Sequence, residues 1–70
     1  MLSELQKTIV GGLKLCGMPQ EDVVATMQLL QTEDQQWKMA NYLETVIDNP
    51  PTRTEIFKEA VEIAENELNA

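Results

Sequence analysis

Thr32–Pro51 reads TEDQQWKMANYLETVIDNPP, and it carries the only Trp (Trp37) and the only Tyr (Tyr42) of the chain. Its two ends are marked by opposite chemistry. Thr32 followed three residues later by Gln35 has capping-box spacing, in which the hydroxyl and the amide each satisfy a free backbone N–H at a helix start. Glu33 and Asp34 then put negative charge in the first turn, where the helix dipole favours it. Asn49-Pro50-Pro51 closes the stretch, because proline lacks the N–H and restricts the residue before it. Between these signals Trp37, Ala40, Leu43 and Ile47 recur at helical spacing, with Val46 widening the stripe. The stretch is therefore expected to be one amphipathic helix of about four turns and the central packing element.

Working outward, the same punctuation recurs. Ser3 with Gln6 is a second capping-box pair, and Leu2, Leu5, Ile9, Leu13 and Cys16 form one face behind it. Gly11-Gly12 interrupts that helix at a cost of about 1 kcal/mol per glycine relative to Ala. Close backbone approach to a neighbour, or a tolerated weak spot, is the expected reason; a hinge is the alternative. Gly17 suits the left-handed residue that ends a helix, and Pro19 the first turn of the next. Val23, Val24, Met27 and Leu30 give that second helix its apolar face. Thr52 with Glu55 is a third capping-box pair, ahead of a wide stripe of Ile56, Phe57, Ala60, Val61, Ala64 and Leu68. No strand-like alternation, repeat or low-complexity tract occurs.

The expected fold is all-α, a compact bundle of four short helices at about 3–16, 19–31, 33–48 and 53–67, forming one helical domain over residues 1–70. The expected core is Leu5, Ile9, Leu13, Val23, Met27, Leu30, Trp37, Ala40, Leu43, Ile47, Phe57, Ala60 and Ala64. Trp37 fits the main stripe of its helix and is expected in the core, with a place on a protein contact surface as the alternative. Met18, Met39 and Tyr42 lie off the stripes or at their edge and are expected at the surface, as partner-binding candidates, since Met adapts to varied partners and Tyr is common in hot spots.

Composition narrows the function classes. The 70 residues hold twelve acids, five bases and no His, a formal net charge of −7. Binding to a phosphate backbone needs clustered Lys and Arg, whereas Lys7, Lys14, Lys38, Arg53 and Lys58 are scattered, so neither direct nucleic-acid binding nor docking on an anionic membrane is expected. The short link before the central helix has helix-turn-helix character, and Gln35, Gln36, Lys38 and Asn41 could read base edges. Glu33 and Asp34, however, stand where phosphates would approach.

Cys16 is the only cysteine, which removes a disulfide framework or multi-Cys zinc site. It lies on an apolar stripe without a basic neighbour in sequence, so a buried structural thiol is expected rather than a nucleophile. Glu55, Glu59 and Glu62 share adjacent turns, but helical di-metal sites pair glutamates with Glu-x-x-His, and no His is present. No enzyme activity, metal or cofactor is expected. No apolar run approaches the ~20 residues that span a bilayer, no signal peptide is read, and a cytoplasmic protein is expected. The initial Met suggests a complete small gene product.

Leu13-x-x-Cys16-Gly17-Met18 resembles the Leu-x-x-Met-Gly-Phe segment of the ubiquitin-associated (UBA) fold, and Ala40-x-Tyr42-Leu43 resembles its closing helix. The resemblance covers residues 13–43 and would imply a three-helix unit whose partner patch includes Cys16, Gly17, Met18, Tyr42 and Leu43. Cys stands where that motif has Met, Met where it has an aromatic, and a fourth helix follows. The whole chain is also similar to small acidic helical proteins of Gram-positive bacteria and their mobile elements.

These readings converge on a non-catalytic protein–protein interaction module with an apolar Met/Tyr surface. Two alternatives stand beside it. One is an acidic decoy or regulator that occupies the nucleic-acid site of a basic protein, using Glu59, Glu62 and Glu65. The other is a structural homodimer packed through the last helix.

Overall fold

Helix boundaries follow the local chemistry closely. In the computed structural model, which describes residues 2–69 and side chains through residue 66, there are four helices: α1 (Glu4–Leu15), α2 (Gln20–Leu29), α3 (Glu33–Val46) and α4 (Arg53–Asn69). The fold is an all-α bundle with no strand among the described residues. Glu67 and Leu68, at the end of the α4 stripe, have side chains outside the described residues.

Two capping boxes are complete. Ser3 N donates to Gln6 Oε1 at 2.8 Å and Gln6 N donates to Ser3 Oγ at 3.1 Å. At α3, Thr32 N donates to Gln35 Oε1 at 3.0 Å and Gln35 N donates to Thr32 Oγ1 at 3.1 Å. At α4, Glu55 N donates to Thr52 Oγ1 at 3.3 Å. Pro19 precedes the first helical residue of α2 as its N-cap, one position earlier than a first-turn proline.

The end of α1 explains a core residue that pattern alone misplaces. Gly17 has φ +86°, its N–H donates to Lys14 O at 3.0 Å, and Met18 N donates to Leu13 O at 3.1 Å. This pair of bonds is a Schellman motif, in which the residue after the glycine usually makes an apolar contact with the last turn. Met18, in that position, belongs to the same buried cluster as Leu13. The expectation of a surface Met18 is thereby corrected: it is 5% exposed.

The packing order is cyclic. α1 packs on α2 and α3, and α4 packs on α2 and α3, with no α2–α3 or α1–α4 packing among the described residues. The core comprises Ile9, Leu13, Met18, Val23, Leu30, Met39, Leu43, Ile56, Ala60 and Ile63, with Ala64 also buried. Leu5, Met27, Ala40 and Phe57, all expected inside, are partly buried against this cluster, and Ile47 is half-buried. α1 runs unbroken through Gly11 and Gly12. A Cβ at Gly12 would stand 3.3 Å from Leu43 Cδ1, so this glycine marks the close approach of α1 to α3; at Gly11 nothing lies within 4 Å.

The rotational setting of α3 differs from the expected one. Its buried residues are Gln35, Met39 and Leu43, spaced four apart, rather than Trp37, Ala40 and Leu43. Gln35 is drawn inward by its cap: besides the capping box, its Oε1 accepts from Gln31 N at 2.7 Å. That turn carries Met39 into the core, 0% exposed, and leaves Trp37 outside, 53% exposed. Both expectations, a surface Met39 and a core Trp37, are corrected by the same rotation.

Candidate functional site

The N-terminal half of α1 and the outer face of α3 leave a groove of about 900 Å³ between them. On the α3 side Glu33, Trp37, Ala40 and Glu44 line it. They stand at i, i+4, i+7 and i+11, which is one helix face, with an apolar pair flanked at each end by an acid. From α1 come Leu5, half-buried, and Glu4, exposed. Ser3, Thr8, Gln36 and Asn41 supply neutral polar groups.

The electrostatics of the groove are one-signed. Among the described residues its ionisable lining groups are Glu4, Glu33 and Glu44, and no Lys or Arg lines it. Lys7 Nζ lies 3.9 Å from Glu4 Oε1, with side chains 58% and 97% exposed. Such a pair contributes little in water and leaves the carboxylate available.

Trp37, the alternative surface candidate, lies at the groove, and the favoured candidates lie elsewhere. Met18 and Met39 are in the core, so neither offers a contact surface in the folded chain. Tyr42 is half-buried between α3 and α4: burial first, then the charges of Glu59, Glu55 and Cys16, push its phenol above the ordinary value. Tyr42 and Glu59 are thus brought together, while Glu62 and Glu65 are exposed on α4. Of the residues the UBA resemblance nominates, Met18 and Leu43 are buried and Cys16 is half-buried. Burial raises the Cys16 thiol above its ordinary value, which lowers its thiolate fraction and so its reactivity at neutral pH.

Two of the polar residues that base-edge readout would require are engaged in the α2–α3 link. Gln35 is buried in its cap, and Gln36 Nε2 donates to Leu30 O at 3.0 Å. Among the described residues, no group of three or more His, Cys, Asp or Glu side chains is placed to hold a metal ion. No helix there is long and apolar enough to cross a membrane.

The groove was not legible from the stripes, because it needs Trp37 outside and the helix phase that puts it there. One signal was present: Glu33, Trp37, Ala40 and Glu44 share a face by spacing alone. No family model, curated protein or solved structure matches this chain.

Proposed function

We propose that this chain is a non-catalytic protein-interaction module and that the α1–α3 groove is its contact surface. The observation that carries the reading is the position of Trp37, the single Trp of the chain, 53% exposed at the groove. A Trp side chain can bury about 150–250 Å², so leaving half of it in water forgoes on the order of 2–3 kcal/mol at ~25 cal/mol per Å². In a domain this small that is a substantial fraction of the whole stability. A partner that covers Trp37 recovers it, and Trp is the residue type most enriched among interface hot spots.

The test is capture from a host lysate with wild-type and Trp37→Ala baits, each confirmed folded by circular dichroism. The reading expects a partner that wild type retains and Trp37→Ala loses. Equal capture by both baits refutes the groove as the contact surface.

The acidic-decoy reading is supported by a different observation, the exposed Glu62 and Glu65 on α4. It expects a partner released by modest salt and lost on Glu59, Glu62 and Glu65 substitution, with Trp37→Ala without effect.

A further inference from the structure

We propose that the occupant of the α1–α3 groove is a basic amphipathic helix of another protein. Its apolar side lies on Trp37, Leu5 and Ala40, and its Lys or Arg side chains meet Glu4, Glu33 and Glu44. The inference rests on reading the groove as the interaction surface and adds the chemistry of what fills it.

Charge decides the sign of the partner. Every ionisable side chain lining the groove is a carboxylate, on a chain of net charge −7. A second copy of this chain would set Glu4, Glu33 and Glu44 against their own equivalents, and like charges across an interface cost several kcal/mol. A basic partner is attracted instead, and its cations can also sit over the face of Trp37.

The spacing of the lining residues argues for a helix as the occupant. Glu33 and Glu44 are eleven positions apart on α3 (11 residues of Glu33→Glu44 at 1.5 Å rise), so the acids bracket the Trp37–Ala40 pair over roughly 16 Å. A partner helix of about three turns presents one face over that same length. The matching sequence is an apolar patch on one helix face, with Lys or Arg about three turns apart at its two ends.

The test uses a synthetic Trp-free peptide of about 18 residues with Leu on one helical face and Lys on the other, long enough to exceed the groove. It is titrated into the full chain while Trp37 fluorescence and backbone amide resonances are followed. The expected result is a blue shift of Trp37 and resonance changes confined to the groove faces of α1 and α3. The Glu4→Gln, Glu33→Gln, Glu44→Gln triple variant should bind at least about tenfold more weakly, whereas Glu59→Gln, Glu62→Gln, Glu65→Gln should stay within about twofold. The two variants remove the same charge, so only a sited interaction separates them.

Equal weakening by both variants, or resonance changes elsewhere, overturns the proposal as general charge attraction. If a Leu/Ser peptide binds the groove as tightly as the Leu/Lys peptide, the basic partner is refuted while the groove remains the contact surface. If no peptide perturbs the groove and the chain forms a dimer that Trp37→Ala abolishes, the occupant is a second copy and the proposal fails.

Discussion

Gly11 and Gly12 are adjacent in the middle of α1, and the structure gives the same substitution opposite consequences at the two positions. Gly11→Ala places a methyl in open space, with nothing within 4 Å. Ala is better than Gly in a helix interior by about 0.8–1.0 kcal/mol, so Gly11→Ala should stabilise by nearly that amount. For a domain of this size the thermal midpoint should rise by about 4–8 °C per kcal/mol. Gly12→Ala gains the same propensity, but its methyl would meet Leu43 Cδ1 at 3.3 Å and Leu43 Cβ at 3.6 Å. Leu43 is 3% exposed and belongs to the core cluster, and forcing extra volume into a well-packed core costs about 1–3 kcal/mol. The net effect of Gly12→Ala therefore runs from neutral to about 2 kcal/mol destabilising, leaving the two variants about 1–3 kcal/mol apart. Urea and thermal denaturation followed by far-ultraviolet circular dichroism read both. Adding Leu43→Val, which removes the opposing δ-methyls, should reduce the penalty at Gly12 and show a coupling of about 0.5 kcal/mol or more in a double-mutant cycle. Equal stabilisation by both alanines would refute the close α1–α3 approach. Destabilisation by Gly11→Ala would refute the outward setting of that residue.

Three further outcomes follow from the same kind of reasoning. Thr26 Oγ1 is fully buried without a hydrogen-bond partner, so Thr26→Val should raise stability by about 1 kcal/mol in urea denaturation, whereas Thr26→Ser keeps the hydroxyl and should not. Arg53 Nη2 and Nε lie 2.8 and 2.9 Å from Asp22 Oδ2, but the Arg side chain is 60% exposed, so Arg53→Met should cost under about 1 kcal/mol, and less in high salt. The Cys16 thiol and Tyr42 phenol are raised in the fold above their ordinary values of 9.0 and 10.0. Both are acids that the fold keeps protonated, so their contribution is fully present below those values and is lost as pH rises through the raised folded ones. The thermal midpoint should fall over that alkaline range, and Tyr42→Phe with Cys16→Ala should flatten the fall; an unchanged slope would refute it.

What the sequence discloses here is whatever is decided within a turn or two of chain. The starts of α1 and α3 are visible because Ser3/Gln6 and Thr32/Gln35 are self-contained hydrogen-bond circuits, and the end of α1 because Gly17 supplies the positive φ. The face that α3 buries is another matter. Leu43 belongs both to the run Trp37–Ala40–Leu43 and to the run Gln35–Met39–Leu43, and apolarity favours the first. The fold takes the second, because the inward-turned Gln35 side chain accepts from two backbone N–H groups, those of Gln31 and Thr32, and because α1 meets α3 at Leu43. Thr26 misleads in the same way, as a polar residue that three- and four-residue spacing sets between Val23 and Leu30. Met18 was the recoverable error: a glycine that closes a helix implies an apolar contact for the residue after it.

The two ends of α1 have opposite tasks, and the groove depends on both. At Gly12 the absence of a side chain lets α1 touch α3 at Leu43. Toward the N-terminus Ser3, Glu4, Leu5, Gln6 and Thr8 line the groove together with Trp37. Closing the groove would take more apolar volume there, and α1 offers mainly Leu5 among Ser3, Glu4, Gln6 and Thr8. The residue that would fill the gap is Trp37, and the capping of Gln35 holds it on the outside. A reader of stability and a reader of binding therefore see different residues. Truncating Met39, which is fully buried, should cost about 2–5 kcal/mol and unfold much of the population. Truncating Trp37 should cost markedly less than the 3–5 kcal/mol typical of a buried Trp and still remove the centre of the groove. Wild-type-like stability of Met39→Ala, or loss of the fold on Trp37→Ala, would overturn this division between core and contact surface.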